Sequence, residues 1–493
     1  MEQLLILFVA AVALAAAARR LGAPYPVFLA LGGAALAFCP GGPSLSVPPE
    51  LALALFVAPV LLDAAFDTSI RDLREEWAAV AALVIFAVGC TTLAVALVVK
   101  GLMPAVAWPA ALALGAVVAP PDAVAATAVL RPLKPPQRIL TILEGESLLN
   151  DATALLIYRL AVHGTSAPAL LVTVPASLLA GVGLGWLTIR LLARIQHIPT
   201  AIIMQFVTTF GVWMGAEHAG LSGVLVTVAH AVTVARTAPQ LTPARSRIPS
   251  YAVWDTVVFA VNILAFIFIG LQIRPILEAL DSNLRLHYFG VALAVLVTVI
   301  AVRFAWHMSF NAVVRWRHRR FGFHPTRPTL RPTVGSGLLI SWAGMRGIVT
   351  LAAAMALPAA FPDRGLIVFT SFAVVLGTLT LQGLTLKPLL KRLDLQDGDP
   401  VGQEVETARQ RALEAALQRL EQDASPMGDL VRREFEARLG SGRKEDGELR
   451  RGALRQARQA LLELRTHQQI GDDAFHHVEE ELDWLEMADR SET

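Results

Sequence analysis

The stretch ILTILEGESLLNDATALLIYRLAV, residues 139–162, decides the fold prediction because it is long enough to cross a bilayer as one helix. It nevertheless contains three carboxylates, Glu144, Glu146 and Asp151, together with Asn150 and Arg159. Each ionisable group near the middle of a membrane helix costs roughly 2.5 to 3.5 kcal/mol, whereas each Leu or Ile contributes only about 0.3 to 0.6 kcal/mol. We therefore expect these side chains to face protein or water and to mark a functional site.

The composition of the whole chain indicates a polytopic membrane protein. Hydrophobic residues make up 55% of the 493 residues and charged residues only 17%, whereas soluble domains carry about 25% charged residues. The charges concentrate toward the C-terminus, which predicts a transmembrane transporter domain at 1–393 and a cytosolic helical tail at 394–493. Cys39 and Cys90 are the two cysteines, so the sequence implies no disulfide framework.

The apolar segments number 13, and the basic residues between them test that count and predict the orientation. Loops after odd-numbered segments hold 18 Lys and Arg residues, whereas loops after even-numbered segments hold 4. Because cytoplasmic loops carry such an excess, we expect the N-terminus outside and the tail in the cytoplasm of a plasma (inner) membrane protein. The first apolar run lacks the basic start of a cleaved signal peptide, so it is predicted to remain as the first span.

Two of the segments are interrupted near their middle. The fifth contains Pro120 and Pro121 beside Asp122, and the twelfth contains glycines on both sides of Arg346. Prolines remove helix donors and glycines permit non-helical backbone, so both segments are predicted to be broken helices. At membrane depth such backbone is tolerated where it lines a cavity or is buried in protein. The spacing predicts an all-α fold with two inverted repeats, spans one to six and eight to thirteen, around a linking seventh span.

The carboxylates of the sixth span divide between two faces. Glu144, Ser147 and Asp151 share one face, whereas Glu146 lies about 140° around the helix from Asp151. We therefore expect different roles for Glu146 and Asp151. Asp151 with Asn150 suits a hard monovalent cation, because such ions take oxygen ligands. A carboxylate buried away from water also binds a proton more readily, so Asp151 can exchange a proton for a cation. Structural pairing with Arg159 is the alternative.

Other polar residues in the spans have both a functional and a structural interpretation. Asp122 can bind a cation or cap the second half of its helix. Arg346 requires an anion or exposed carbonyl groups, and Glu146 is the preferred partner, ahead of an anionic substrate. Asp63 is either a ligand or a residue at the cytoplasmic end of the third span. Interhelical hydrogen bonding or an interface position is favoured over transport for four more residues: Arg303, His230, Asp255 and Asn262.

The motif LEGESLLNDA at 143–152 resembles that of monovalent cation:proton antiporters of the sodium/proton exchanger type, in the branch with Asn-Asp rather than paired aspartates. The resemblance continues in VVAPPDAVAATAV at 117–129 and GMRGIVTLA at 344–352. It implies Na⁺, with Li⁺ or K⁺ as alternatives, and H⁺ as substrates. It also implies a homodimer in membrane lipid, in which a core domain moves against a dimerisation domain. No cofactor, nucleic acid or enzymatic activity is expected.

The resemblance also implies roles for individual residues. Asp151 is expected to bind proton and cation alternately, and Asn150 to hold the broken helices in position. Asp122 and Ser147 are expected to join Asp151 at the transported Na⁺. The Asn-Asp pair suggests one proton per cation and hence electroneutral exchange.

Three further features either complete the family pattern or depart from it. Glu146 and Arg346 are expected to form a structural ion pair. Asp63 stands where some members carry Glu, one methylene longer, and is a further candidate ligand. Pro121-Asp122-Ala123 replaces the Thr-Asp-Pro of many relatives, so a threonine contact to the ion is missing.

Rival functions receive less support from the sequence. A cation channel requires a continuous pore, often with a repeated filter sequence, and the chain has one central Asp151 instead. A sodium-coupled organic anion symporter would use Arg346 to bind its substrate and is the main alternative. A membrane enzyme is least favoured, because we find no nucleophile with its base, no metal-binding His pair and no phosphate-binding loop.

Overall fold

The computed structural model is helical, without strands, over the residues it describes, namely 2–21, 23–39, 49–67, 83–133, 135–164, 167–241, 244–280, 284–322, 333–395 and isolated tail positions. The first helices are α1 (Glu2–Arg20), α2 (Tyr25–Ala37), α3 (Pro49–Asp67), α4 (Val88–Leu102), α5 (Trp108–Val118), α6 (Ala123–Leu130), α7 (Gln137–His163) and α8 (Ala167–Leu192). The later ones are α9 (Ile198–His218), α10 (Gly223–Leu241), α11 (Ala244–Leu271), α12 (Ile273–Glu278), α13 (Arg285–Phe321), α14 (Val334–Trp342), α15 (Ile348–Met355) and α16 (Arg364–Leu393).

Six helical stretches among the described residues are long and apolar enough to cross a membrane. They are Trp108–Leu133, Val172–Leu192, Ile198–His218, Ser246–Glu278, Arg285–Phe321 and Arg364–Leu393. The protein is therefore a multi-pass membrane protein by length and composition of its helices. Contacts divide the chain into two compact units, Met1–Gly398 and Asp399–Thr493. The amphipathic helices predicted for the tail lie outside the described residues, apart from isolated positions.

Burial separates central helices from peripheral ones. The most apolar windows of the α5–α6, α11–α12 and α16 stretches are 67%, 61% and 67% buried, whereas those of α8, α9 and α13 are 28%, 22% and 28% buried. The central helices approach one another closely. A Cβ on Gly33 of α2 or on Gly270 of α11, for example, would meet the backbone of the other helix. The exposed apolar sides of the peripheral helices fit lipid contact.

Two short non-helical segments meet in the centre of the first unit. One separates α5 from α6 and contains Pro120, Pro121 and Asp122, and the other separates α14 from α15 and contains Met345 and Arg346. The backbone N–H of Asp122 donates a hydrogen bond of 2.7 Å to the carbonyl oxygen of Met345. The two segments are therefore joined directly, backbone to backbone.

Candidate functional site

A cavity of about 270 Å³ lies beside these two non-helical segments. Four of the predicted site residues line it, Asp63, Asp122, Ser147 and Asp151, and they come from α3, the α5–α6 junction and α7. The same wall includes further polar residues: Tyr25, Thr127, Arg131, Glu144, Asn262 and Thr350. The structure thus brings carboxylate and hydroxyl oxygens from distant parts of the chain to one cavity.

Asp151 is buried, and its carboxylate has no protein partner among the residues that the structure describes. The residue is 8% exposed, and no hydrogen bond or ion pair within the described part of the chain involves its side chain. The alternative that paired Asp151 with Arg159 is wrong. The Arg159 guanidinium instead donates to the Glu217 carboxylate at 2.6 Å and to the Leu221 carbonyl oxygen at 3.1 Å.

Asp122 caps α6 while also lining the cavity. Its Oδ1 accepts hydrogen bonds from the backbone N–H groups of Val124 at 2.9 Å and Ala125 at 3.4 Å. These are the groups that an N-cap side chain satisfies, so the structural interpretation of Asp122 holds. Because the residue also faces the cavity, capping does not separate it from the site.

Ser147 connects α7 to the non-helical segment that precedes α6. Its Oγ accepts a hydrogen bond from the Ala123 N–H at 3.2 Å and donates one to the Pro121 carbonyl oxygen at 3.3 Å. Both backbone groups lie where the helical hydrogen-bond pattern is interrupted, so the hydroxyl supplies partners that the helix does not. Ser147 therefore positions Asp122 relative to Asp151.

Asn150 lies outside the cavity wall and binds Glu146 instead. The Asn150 side chain is 1% exposed, and its Nδ2 donates a hydrogen bond of 3.1 Å to Glu146 Oε1. Its Oδ1 is buried and has no partner among the described residues. Asn150 therefore precedes the cavity residue Asp151 in the sequence, but its amide is directed toward the buried Glu146 carboxylate.

The Glu146 carboxylate pairs with Arg303, so the predicted ion pair between Glu146 and Arg346 is wrong. Arg303 on α13 donates from Nη1 to Glu146 Oε1 at 2.6 Å and from Nη2 to Oε2 at 3.0 Å. His307, one turn further along α13, places Nε2 3.5 Å from Glu146 Oε2. Two parallel hydrogen bonds from one guanidinium are the strong geometry for such a pair. Both charges are therefore compensated inside the protein.

Arg346 binds carbonyl groups, and no carboxylate among the described residues forms an ion pair with it. The side chain is 1% exposed; its Nε donates to the Val118 carbonyl oxygen at 2.9 Å and its Nη2 to that of Ala119 at 3.0 Å, while Nη1 donates to Gly344. Val118 and Ala119 form the C-terminal end of α5, where carbonyls lack helical partners and carry partial negative charge. Exposed carbonyls were the second option that the sequence left for Arg346. The guanidinium therefore joins the two non-helical segments.

Arg303 and His307 are the residues whose part in this arrangement the sequence reasoning missed. The sequence favours interhelical hydrogen bonding for Arg303 but does not identify its partner, and it gives no role to His307. Their four-residue spacing on an apolar helix places two nitrogen-bearing side chains on one face, which was the available signal for a buried acidic partner. The interhelical interpretation does hold for His230, whose Nε2 lies 3.1 Å from Thr188 Oγ1 on α8.

A second, larger cavity of about 980 Å³ shares one residue with the first. Asp63 lines both cavities. Other polar residues in the larger cavity come from α8 to α11, including His197, His230, Arg247 and Asp255. Asp63 therefore borders both the larger cavity and the smaller one that contains Asp151.

Comparisons with known proteins point to one family. Residues 5–392 match the model of the family described as sodium/hydrogen exchanger, transmembrane. The chain is 31% identical to an uncharacterised Na⁺/H⁺ exchanger of Mycobacterium tuberculosis, over 98% of this chain and 96% of that protein. It is 28% identical to the sodium, potassium, lithium and rubidium/H⁺ antiporter of Bacillus subtilis, over 94% of this chain and 74% of that protein.

The fold is similar to that of a solved antiporter. The structure superimposes on that of the sodium proton antiporter MjNhaP1 from Methanocaldococcus jannaschii with a TM-score of 0.60 and 17% sequence identity. The match covers 79% of this chain and 97% of the other. At this identity the likeness concerns the fold.

Proposed function

The chain belongs to the sodium/hydrogen exchanger family, a family of cation/proton antiporters, and we propose that it exchanges Na⁺ for H⁺ across its membrane. It is thus a transporter rather than an enzyme. Li⁺ and K⁺ are alternative cations, because the name of the Bacillus subtilis relative includes both. The threonine missing at Pro121 leaves this selection to the other ligands around Asp151.

The observation that carries the proposal is the Asp151 carboxylate in the 270 Å³ cavity, which has no hydrogen-bond or ion-pair partner in the described part of the chain. A buried carboxylate without a compensating charge is costly, so it requires either a proton or a cation. In the proposed mechanism the two compete for Asp151, and the site is neutral in either occupied form. Only an occupied site crosses, which couples the two fluxes. One carboxylate that exchanges one proton for one monovalent cation makes the exchange electroneutral.

The neighbouring residues divide into proposed ligands and supports. Asp122 and Ser147 are proposed to join Asp151 at the transported Na⁺, with Asp63 at the entrance from the larger cavity. Asn150 is proposed to act through its hydrogen bond to Glu146, which fixes that part of α7 against α13.

The proposed architecture has 13 spans in two inverted repeats with two broken helices. Its support is the pair of matching interruptions: helices of 11 and 8 residues, α5 and α6, correspond to helices of 9 and 8 residues, α14 and α15. A homodimer in the plasma membrane is proposed, with the N-terminus outside and the tail in the cytoplasm. The core that contains both broken helices moves against the dimerisation domain.

Sodium-coupled symport of an organic anion remains the alternative, but the contacts of Arg346 favour antiport. A substrate-binding arginine has to reach the cavity, whereas this guanidinium is 1% exposed and bound to three carbonyl groups. An anionic substrate would have to break these bonds.

Proteoliposomes that contain an internal pH dye test the proposal. Adding Na⁺, K⁺ or Li⁺ should dissipate an imposed pH gradient with the wild type and with Asp363→Asn, but not with Asp151→Asn. Asp363→Asn is the matched control because it removes a carboxylate at a loop position whose left-handed backbone, φ 55°, asparagine tolerates. Cation-dependent proton flux in Asp151→Asn would contradict the mechanism. If no cation moves protons with the wild type, antiport itself is excluded and symport leads.

An imposed membrane potential separately tests the stoichiometry. An electroneutral exchanger should give the same initial rate with and without a potassium diffusion potential in the presence of valinomycin, measured with Na⁺ as substrate. A rate that follows the potential would contradict one-for-one exchange and leave antiport intact.

A further inference from the structure

Two arginines lie near the C-terminal end of α8 and line the same cavity. Arg190 is in the last turn of α8, and Arg194 is in the turn that follows Leu192. The Arg190 guanidinium stacks on the indole ring of Trp186, with 3.4 Å from Cζ to the ring centroid. This stacking holds Arg190 in a fixed position and leaves the edge of its guanidinium available for hydrogen bonds.

These residues form most of the wall of a third cavity, of about 360 Å³. Ile189 and Ala193 complete the α8 side, and Thr237 of α10 forms the opposite side. The Thr237 hydroxyl donates to the Thr233 carbonyl oxygen at 2.7 Å, so its proton is already used. The donors that this cavity offers to a ligand are therefore the two guanidinium groups and the indole N–H of Trp186.

No acidic side chain among the described residues pairs with Arg190 or Arg194. The arginines that form salt bridges among the described residues are Arg131, Arg159, Arg274 and Arg303. Two neighbouring cations that share a cavity repel each other, and an anion between them removes that repulsion. The ligand class that the cavity fits is therefore anionic, and a phosphate matches the fork of donors that each guanidinium presents.

The position along the helix indicates where such an anion comes from. α8 includes the apolar stretch Val172–Leu192, so Arg190 and Arg194 lie at its end, at the boundary between hydrocarbon and water. Leu187 and Leu191 beside them are 59% and 42% exposed, as expected for side chains that touch lipid. Basic pockets between membrane helices at this level bind anionic headgroups.

We propose that the cavity between α8 and α10 binds the phosphate of an anionic phospholipid headgroup, with Arg190 and Arg194 as its ligands. Trp186 holds Arg190 in place and contacts the glycerol region of the lipid. The proposal depends on α8 being a membrane span and is independent of the transport mechanism, since the test below measures lipid binding without ion flux.

The site can be tested on delipidated full-length protein in detergent. The protein is titrated with phosphatidylglycerol or phosphatidylcholine, and native mass spectrometry and thermal unfolding measure lipid binding and stability. We expect phosphatidylglycerol to be retained preferentially and to raise the unfolding temperature of the wild type. The double variant with Arg190→Gln and Arg194→Gln should weaken this binding roughly 30-fold. This factor follows because each arginine near the membrane surface contributes about 1 kcal/mol, and about 1.4 kcal/mol changes the affinity tenfold. Trp186→Leu should weaken it less. Inorganic phosphate is titrated in parallel.

The matched control removes two other exposed arginines, Arg20→Gln with Arg392→Gln, which lie at the ends of α1 and α16. It should retain the wild-type preference for phosphatidylglycerol. Equal loss in both double variants would show a general charge effect and overturn the site, as would unchanged binding in the Arg190 and Arg194 variant. If inorganic phosphate stabilises the wild type as well as the lipid does, and depends on the same arginines, the lipid assignment is wrong.

Discussion

Gly347 lies so close to Asp122 that a Cβ at position 347 would overlap the Asp122 carboxylate. The backbone of Gly347, with φ −134°, is accessible to other residues, so space and not conformation requires glycine here. The start of α15 therefore forms the surface against which the Asp122 side chain is held.

Gly347→Ala should impair transport by displacing this carboxylate. Overpacking costs about 1 to 3 kcal/mol, so we expect roughly tenfold or greater loss of cation-dependent proton flux in proteoliposomes. Gly183→Ala is the control, since a Cβ there meets no atom within 4 Å. Wild-type flux in Gly347→Ala would show that the position of Asp122 does not matter.

The Glu146–Arg303 pair should be revealed by thermal unfolding of the purified protein. Glu146→Gln or Arg303→Gln leaves a buried charge without its partner, which costs about 3 to 5 kcal/mol. The double variant should lose clearly less than the sum of the single variants, because neither charge is then left unpaired.

The Arg274–Glu278 pair is the control for this measurement, because its side chains are 52% and 63% exposed. Removing either partner there should cost about 0 to 1 kcal/mol. If the Glu146 and Arg303 single variants cost no more than these, the buried pair does not stabilise the fold.

Ser147→Ala should reduce transport more than it reduces stability. The substitution removes the hydroxyl that bonds Ala123 N–H and Pro121 carbonyl, and a buried group left unpaired costs about 1 to 3 kcal/mol. We expect roughly tenfold lower flux. Thr153→Ala, which removes a hydroxyl bonded within its own helix to the Leu149 carbonyl, should keep most of the activity. Equal effects of the two variants would count against a positioning role for Ser147.

Competition at Asp151 predicts how transport depends on pH. A lower pH raises the proton concentration, protonates the carboxylate and excludes the cation, so the apparent KM for Na⁺ should rise as pH falls. At pH values where Asp151 is mostly protonated, the apparent KM for Na⁺ should rise about tenfold for each pH unit, because the proton concentration rises tenfold. Initial rates over a range of Na⁺ concentrations at several pH values measure this. A KM that stays constant while the maximal rate falls would indicate separate sites for proton and cation.

The sequence predicted the fold class and much of the site because the decisive residues are costly in a membrane. Carboxylates on α7, with Pro120 and Pro121 in the middle of an apolar run, have few interpretations other than a polar cavity beside non-helical backbone. The family resemblance and the comparisons agree on the sodium/hydrogen exchanger family. Helix periodicity also correctly separated Glu146 from the face that carries Asp151, since Asp151 lines the cavity and Glu146 does not.

The partner of Glu146 could not be obtained in the same way. Periodicity shows which residues share a face of α7, but not which face of α13 packs against it, and Arg303 lies 157 residues away in the chain. Arg346 is the partner that the sequence favours, because a permanently charged side chain within a membrane span requires an anion or exposed carbonyl groups. Its guanidinium is already occupied by the α5 carbonyl groups, a competition that depends on the distance between two helix ends and not on residue type.

The same guanidinium has a consequence for biosynthesis. Arg346 binds the Val118 carbonyl oxygen from 228 residues further along the chain. When α5 leaves the ribosome, the residues that will later satisfy its C-terminal end have not yet been made. The cavity that contains Asp151 is therefore completed late, when α14 and α15 join helices that were inserted much earlier. A nascent chain that stops before α14 contains Asp151, Asp122 and Ser147 but lacks Met345 and Arg346, which bond to the segment between α5 and α6.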